Sequence, residues 1–322
     1  MKAKVFVTTK LPEDVKEFLE PYCELDFWEG AYPIPKDEIA DRLKDVEGIL
    51  GSQLRVNEKL LELAPNLKIH SNISVGYDNF DPALMTEHNI MGTHTPSVLD
   101  DTVADLAVGM MLAAGRRIAY FDRYVKEGQW KPTDNENLFG LDIHGKTLGI
   151  LGLGRIGTKI AKRASLGFDM NVLYYSRTRK EEEEKEFNLT YKELDDLLKE
   201  SDYVICMLPL NPNTEKFLGA REFGLMKNSA YFINIARGKI VDEAALIKAL
   251  EDGEIAGAAL DVYEKEPVDA NNPLLSMDNV VTLPHMGSST RETRDAMAMM
   301  AAKNLVAGLK GEKPENLIPE HR

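Results

Sequence analysis

Residues 147–157 read Thr-Leu-Gly-Ile-Leu-Gly-Leu-Gly-Arg-Ile-Gly, and this stretch decides the fold that we expect for the chain. It opens with an apolar run of strand length and ends on a match to the pattern G-x-G-x-x-G. The residues after it have the spacing of an amphipathic helix, and a second strand-like run follows at 171–175. A strand, a glycine loop, a helix and a second strand form the context in which this pattern binds a dinucleotide.

Each glycine of the pattern has its own expected role. Gly152 would permit the tight turn, Gly154 would let the backbone approach a pyrophosphate, and Gly157 would let helix and strand pack closely. The start of the helix, at Arg155 and Ile156, would face the anion.

The end of the second strand bears on the choice of cofactor. An acidic residue there would bind the ribose hydroxyls of NAD and repel a 2′-phosphate. This chain has Ser176, Arg177, Thr178 and Arg179 instead, with no acid before Glu181. Two guanidinium groups and two hydroxyls would make an anion cradle, which predicts a preference for NADP(H). In the alternative, both arginines are exposed surface charges and NAD(H) serves as well.

Outward from this stretch, short apolar runs alternate with amphipathic helical segments along the chain. Such alternation predicts an α/β protein built on parallel sheets. Residues 100–128 are predicted to form one long helix, followed by a loop at 130–143. Strands and helices stand on both sides of this helix, so the sequence predicts two related domains.

Length and composition agree with this prediction and exclude other classes. The 322 residues suggest about two domains. A formal net charge of −14 argues against general nucleic-acid binding. Cys23 and Cys206 cannot form a disulfide framework, and this cysteine usage suits a reducing compartment. The N-terminus is not typical of a signal peptide and the apolar stretch at 103–115 is too short to span a bilayer, so we expect a cytoplasmic protein. No residue spacing implies a metal.

Polar side chains follow three later strand-like runs. Arg237 lies in the stretch Asn-Ile-Ala-Arg-Gly at 234–238, and Glu266 precedes a proline after Leu-Asp-Val-Tyr at 260–263. His285 lies in Pro-His-Met-Gly at 284–287. Each would stand just beyond the carboxyl end of a strand, where open α/β sheets bind ligands.

These stretches, with Ser-Val-Gly-Tyr-Asp at 74–78 and Ala-Asp-Leu-Ala at 104–107, resemble the D-isomer-specific 2-hydroxyacid dehydrogenases over nearly the whole chain. Within that family the chain is most similar to the glyoxylate/hydroxypyruvate reductases, including those that act on 2-ketogluconate. Ser176-Arg177-Thr178 and the loop at 130–132 point that way. The resemblance implies an NADP(H)-preferring enzyme that reduces small 2-oxo acids to D-2-hydroxy acids.

The resemblance implies three catalytic residues, whose chemistry suits this reaction. His285 would be the proton donor, since imidazole titrates near neutral pH. Glu266 would orient the imidazole and favour its protonated form. Arg237 would hold the substrate carboxylate and polarise the carbonyl. Glu264 competes with Glu266 for the acidic role, and the proline after Glu266 decides between them.

Further binding residues follow from the same resemblance. Substrate contacts are expected at Leu54, Val75 and Gly76, in addition to Arg237 and His285. Beyond the glycine loop and residues 176–179, the expected cofactor-binding residues are Thr102, Pro209, Thr214, Ile235, Ala236, Asp261 and Gly287.

The resemblance also implies an arrangement of domains. Residues 1–98 with 290–322 would form a substrate-binding domain, and residues 99–289 an NAD(P)-binding Rossmann domain. Both would be Rossmann-like (flavodoxin-like) parallel-sheet domains, with the active site in a cleft between them. The 100–128 region would form the contact of a homodimer.

Two alternatives stay open at this stage. The chain could be another dehydrogenase of the family, acting on D-lactate, D-3-phosphoglycerate or phosphite. It could also be a non-catalytic protein that senses NAD(P) with the same fold.

Overall fold

The computed structural model describes residues 2–32 and 34–322. Met1 and Pro33, which fall in the predicted first domain, lie outside the described residues. The chain up to residue 99 alternates strands with short helices. In order these are β1 (Ala3–Val7), α1 (Glu13–Leu19), β2 (Cys23–Phe27), α2 (Lys36–Leu43), β3 (Gly48–Leu50), α3 (Glu58–Leu63), β4 (Ile69–Ser71), α4 (Pro82–Glu87) and β5 (Met91–Thr93).

Two consecutive helices then lead into a second alternating series. The elements are α5 (Asp100–Gly115), α6 (Ile118–Lys126), β6 (Thr147–Leu151), α7 (Arg155–Phe168), β7 (Asn171–Tyr175), α8 (Glu181–Phe187), β8 (Leu189–Tyr191), α9 (Leu194–Glu200), β9 (Tyr203–Cys206), α10 (Ala220–Leu225), β10 (Tyr231–Asn234), α11 (Glu243–Glu251), β11 (Gly257–Leu260) and β12 (Val280–Thr282). A final helix, α12 (Arg291–Leu309), follows.

The strands form two sheets. The first has five strands in the order β2-β1-β3-β4-β5, and the second has seven in the order β12-β11-β10-β9-β6-β7-β8. The pairings between these strands are parallel. The prediction of an α/β fold with two Rossmann-like parallel sheets is therefore confirmed. In the second sheet the strand order reverses at β6, and open sheets of this kind bind ligands at such a point.

The chain divides into two compact units, Met1–Leu99 with Ser289–Arg322, and Asp100–Ser288. The predicted domain bounds, 98/99 and 289/290, stand one residue from this division. In the first unit α12 covers one face of the five-stranded sheet, where Ala301 and Leu305 pack with Val5, Val7 and Ile69. The contact between helix and sheet is close, because a Cβ on Gly308 would lie 2.5 Å from Cδ1 of Ile69.

The prediction of a single helix over 100–128 is wrong. The chain turns after Gly115, and Arg117 adopts a left-handed conformation (φ +52°) before α6 begins. Gly115 is packed against another element, since a Cβ there would lie 2.2 Å from the hydroxyl of Tyr203. Its carbonyl accepts a hydrogen bond from the amide of Leu141 at 2.7 Å. The carbonyl of Gly115, which would accept the next helical hydrogen bond, is therefore bound by the loop after α6 instead.

Candidate active site

The glycine loop joins β6 to α7. Gly152 has a left-handed φ of +104°, and a Cβ there would lie 2.8 Å from the carbonyl oxygen of Met207. A Cβ on Gly157 would lie 2.4 Å from the carbonyl oxygen of Gly152. Gly154 faces open space, with nothing within 4 Å of a Cβ built on it. Two of the glycines thus let the loop fold tightly, and the third leaves room for a ligand against the backbone.

The first turn of α7 carries unsatisfied backbone amides. Its N-cap is Gly154, and no side chain caps the helix. The amides and the helix dipole therefore favour an anion at this point, so residues 152–157 fit the pyrophosphate of a dinucleotide.

Ion pairs between α5 and α7 fix the direction of α7. Nε of Arg155 donates to the buried carboxylate of Asp100 at 3.1 Å. One and two turns later, Lys159 pairs with Asp101 at 3.2 Å and Arg163 with Asp105 at 2.7 Å. The amides at the start of α7 are therefore held by contacts along the helix as well as by the loop.

The loop at the end of β7 differs from its predicted arrangement. Arg179 is not free, because Nε and Nη2 donate to the two carboxylate oxygens of Glu184, each at 2.8 Å. Arg177 is exposed, and its side chain has no hydrogen-bond or ion-pair partner in residues 2–32 and 34–322. The hydroxyl of Ser176 donates to the carbonyl of Thr178 at 2.5 Å. The predicted pair of available guanidinium groups is thus reduced to Arg177, because a glutamate five residues beyond Arg179 binds it.

The loop after β10 places Arg237 at the carboxyl end of the seven-stranded sheet. Asn234 is buried and shapes this loop, donating to the carbonyl of Arg237 at 3.1 Å and accepting from the amide of Ala236 at 3.1 Å. A Cβ on Gly238 would lie 1.9 Å from the backbone of Tyr263, so the loops after β10 and β11 are in direct backbone contact.

Glu266 and Glu264 have different surroundings in the loop after β11. Oε1 of Glu266 accepts a hydrogen bond from the amide of Tyr263 at 3.1 Å. The nearest cation to the Glu264 carboxylate is Lys216, at 3.8 Å. The glutamate directed at the neighbouring loop after β12 is therefore Glu266.

His285 meets Glu266 from the loop after β12. Its Nδ1 lies 2.6 Å from Oε2 of Glu266, and its backbone has a left-handed φ of +53°. An ionised carboxylate only accepts hydrogen bonds, so Nδ1 carries the proton in this contact. Nε2 has no partner among the described residues, and 47% of the side chain is exposed. This nitrogen is thus available for an oxygen of a ligand.

The carboxylate of Asp261 anchors the same loop. Its two oxygens accept the amides of Met286 at 2.7 Å and Gly287 at 2.8 Å, and the side chain is buried. Burial raises the pKa of Asp261 above its ordinary value, against the effect of the two amides. Asp261 thus acts within the protein, on the residues that directly follow His285.

The charges around Glu266 keep it ionised. Burial acts to raise its pKa, but the hydrogen bond and charge of His285, the amide of Tyr263 and the charge of Arg237 together hold the pKa below its usual value. A carboxylate, an imidazole and a guanidinium are thus brought together at the ends of β10, β11 and β12. Such a set can orient and donate a proton beside a bound anion.

The remaining residues of the predicted cofactor set lie at other places in the second unit. Thr102 lies in the first turn of α5, and Ile235 and Ala236 are buried before Arg237. Pro209 and Thr214 bind each other, since the Thr214 hydroxyl donates to the Pro209 carbonyl at 2.6 Å.

The predicted substrate contacts Leu54, Val75 and Gly76 belong to the first unit. The carbonyl of Val75 lies 3.0 Å from Nδ1 of His94, and that of Gly76 accepts from the hydroxyl of Ser74 at 2.6 Å. The carbonyl of buried Leu54 accepts from Nδ2 of Asn79 at 3.0 Å. Within the described chain no group accepts the amides of Val75 and Gly76.

Sequence reasoning missed several residues that position the site. Asn234, Gly238 and Tyr263 all lie within stretches that the resemblance singled out, so position in those stretches was the available signal. Glu184 carried no such signal, because it stands in a run of four glutamates at the start of α8.

The fold and these loops define a dinucleotide-dependent enzyme class, and the comparisons with known proteins agree. The profile of the D-isomer specific 2-hydroxyacid dehydrogenase NAD binding domain matches residues 108–287. The chain therefore belongs to the D-isomer-specific 2-hydroxyacid dehydrogenases, a family of NAD(P)-dependent oxidoreductases.

Among its relatives, a glyoxylate reductase of Pyrococcus horikoshii is 46% identical over 99% of this chain and 96% of its own. A glyoxylate/hydroxypyruvate reductase B of Escherichia coli is 44% identical over 100% of this chain and 99% of its own. The solved structure of an NADPH-dependent glyoxylate/hydroxypyruvate reductase of Sinorhizobium meliloti, in complex with NADP and malonate, has a TM-score of 0.86 at 33% identity. That match covers 99% of this chain and 98% of the other.

The residues that the structure describes contain no group of three or more His, Cys, Asp or Glu side chains placed to hold a metal ion. None of their helices is both long and apolar enough to cross a membrane.

Proposed function

We propose that this protein reduces glyoxylate and hydroxypyruvate to D-2-hydroxy acids, with 2-ketogluconate as a further substrate, and that it prefers NADPH. The observation that carries the proposal is the contact between His285 and Glu266 at the carboxyl ends of the strands that also present Arg237. The names of the relatives support the substrates, since those proteins are glyoxylate or glyoxylate/hydroxypyruvate reductases.

The proposed mechanism assigns one task to each of the three side chains. NADPH, when bound, supplies a hydride to the carbonyl carbon of the 2-oxo acid. Nε2 of His285 donates the proton that the carbonyl oxygen needs, and Glu266 holds the ring through Nδ1 and stabilises its charge. Arg237 binds the substrate carboxylate and polarises the carbonyl group. Binding of the substrate carboxylate by the amides of Val75 and Gly76, beside Leu54, stays a prediction.

Two features support the assignment of the cofactor site. The uncapped start of α7 and the open face of Gly154 fit a pyrophosphate. At the end of β7 the exposed guanidinium of Arg177, with Ser176 and Thr178, fits a 2′-phosphate better than the ribose diol of NAD.

The oligomeric state and the cellular location are expected from the family resemblance and not from a contact within the chain. We propose a homodimer formed through the 100–128 region. Exposed apolar side chains in and after this region support it: Ile118, Val125, Trp130 and Phe139. Sedimentation equilibrium tests the dimer. The cytoplasmic location stays a prediction.

Initial rates of NADPH and NADH oxidation with glyoxylate, hydroxypyruvate, 2-ketogluconate and pyruvate test the proposed function. We expect fast turnover of the first two acids with NADPH. A strong preference for NADH would overturn the assignment of the 2′-phosphate to residues 176–179. A preference for pyruvate would favour the D-lactate alternative. Tight nucleotide binding without turnover of any acid would favour the NAD(P)-sensing alternative.

A further inference from the structure

Glu184 differs from the other glutamates at the start of α8 in its surroundings. Only 13% of the Glu184 side chain is exposed, whereas the side chain of its ion-pair partner Arg179 is 61% exposed. Besides the two hydrogen bonds from Arg179, it accepts one from the hydroxyl of Tyr174 at 2.5 Å. That hydroxyl in turn accepts the amide of Lys180 at 2.8 Å. The carboxylate is therefore fixed between the end of β7 and the start of α8.

The pair of Glu184 and Arg179 is neutral over the physiological pH range. The hydrogen bonds from Arg179 and then from Tyr174 lower the pKa of Glu184 to about 2. The contact uses the Nε–Nη2 edge of the guanidinium, one of the two edges that can bind phosphate in a bidentate way, and it neutralises the charge of Arg179. The loop thus contains two arginines but presents one unneutralised guanidinium, that of Arg177, among the residues the structure describes.

We propose that Glu184 determines coenzyme specificity by withholding Arg179 from the 2′-phosphate, which leaves the discrimination between NADP(H) and NAD(H) to Arg177. This inference rests on the proposed role of residues 176–179 in binding that phosphate. NADP⁺ and NAD⁺ differ only at the 2′ position, so the effect of Glu184 falls on NADP⁺ alone. The preference for NADP(H) is consequently weaker than the two arginines in the sequence suggest.

The test measures the Kd values of NADP⁺ and NAD⁺ by isothermal titration calorimetry, without substrate. Glu184→Gln keeps an acceptor for Tyr174 but removes the charge that holds Arg179. We expect NADP⁺ to bind about three- to tenfold more tightly, as for one added charge-assisted contact. NAD⁺ affinity should change less than twofold.

Glu182→Gln is the matched control. It removes the same charge from the same helix, but Glu182 is exposed and makes no hydrogen bond or ion pair within the described residues. We expect less than a twofold change for either nucleotide. An equal gain in this variant would overturn the proposal, since general electrostatics would then explain the effect.

Two further variants connect the gain to Arg179. In the double variant Arg179→Gln/Glu184→Gln, NADP⁺ affinity should return to within twofold of wild type. A gain that persists there would overturn the proposal. If Glu184→Gln does not fold, the double variant alone decides, because removing both members of a neutral pair should change NADP⁺ affinity less than twofold. A tenfold loss in that variant would show that Arg179 binds the phosphate despite Glu184.

Arg177→Gln separates this inference from the proposed function. It should weaken NADP⁺ at least tenfold and leave NAD⁺ within twofold. If it changes neither, the assignment of the 2′-phosphate to this loop fails. If it weakens NADP⁺ while Glu184→Gln has no effect, the loop binds the phosphate but Glu184 does not control it.

Discussion

Nδ1 of His285 and Oε2 of Glu266 lie 2.6 Å apart, although the two residues follow different strands of the seven-stranded sheet. The contact depends on backbone features of both loops, the left-handed conformation of His285 and the amide of Tyr263 that fixes the other oxygen of Glu266. The carboxylate thus fixes the tautomer of the ring and leaves Nε2 as the nitrogen that exchanges a proton with substrate.

Replacing His285 by asparagine should lower kcat for glyoxylate reduction by roughly 10²- to 10⁴-fold, the usual contribution of a positioned general acid. NADPH affinity should change little, because the glycine loop is untouched. His144→Asn is the control, since His144 is exposed beside Asp169 at 3.5 Å. Near-full activity of the His285 variant would contradict its assignment.

Glu266→Gln should change the pH profile of the reaction. The wild-type carboxylate is ionised at neutral pH and favours the protonated imidazole, which reduction requires. Without its charge, the fall of the reduction rate at alkaline pH should begin at a lower pH. A profile of kcat from pH 5.5 to pH 9.5 measures this, with Glu264→Gln as the control. An unmoved alkaline limb would count against the role of Glu266.

Asp261→Asn should destabilise the protein by about 1–3 kcal/mol, because the new amide group would face a backbone N–H in a buried site. The two amides that Asp261 accepts directly follow His285, so kcat should fall as well. Urea unfolding and steady-state kinetics measure the two effects. An unchanged free energy of unfolding would show that the loop after β12 does not need this anchor.

Gly238→Ala should destabilise by at least about 1–3 kcal/mol, as an overpacked core substitution does. Its Cβ would stand 1.9 Å from the backbone of Tyr263 and would push apart the loops that carry Arg237 and Glu266. Gly224→Ala is the control: it lies exposed within α10 with nothing within 4 Å of a Cβ built on it, so alanine should not destabilise the protein. Thermal unfolding of both variants compares them.

The buried His70 should make the protein less stable at acidic pH. Burial lowers its pKa from 6.5 to about 4, although its hydrogen bond to Gly51 acts in the other direction. Between pH 6.5 and pH 4 the unfolded chain binds a proton at this residue that the folded protein does not. The free energy of unfolding should therefore fall as the pH drops, by up to about 1.4 kcal/mol per unit. In His70→Gln this part of the slope should be absent from urea-unfolding curves.

The sequence predicted best the elements whose composition is unambiguous. β6 and β7 have the predicted bounds, because both are continuous apolar or aromatic runs next to turn residues. β2 was missed because Cys-Glu-Leu-Asp-Phe alternates polar and apolar residues without a β-branched side chain, and it pairs only at the edge with β1. α4 was missed because it has six residues, although Asp81 caps it and Pro82 begins it.

Side-chain pairing was the part of the site that the sequence could not specify. The glycine pattern identified the loop between β6 and α7, and the proline after Glu266 singled out the glutamate that contacts His285. The availability of Arg179 depends on whether a later glutamate turns toward it or toward water. The orientation of Glu184 depends on Tyr174 of β7, whose hydroxyl donates a hydrogen bond to the Glu184 carboxylate. Tyr174 belongs to none of the sequence motifs.

The packing of α12 on the five-stranded sheet has a consequence for how the chain is made. Val5, Val7 and Ile69 pack with residues of 298–306, which lie almost three hundred residues further along the chain for the first two. The contiguous unit of residues 100–288 leaves the ribosome before that helix exists. During synthesis the first sheet must therefore keep part of one apolar face uncovered, and the later unit can complete its core before the earlier one.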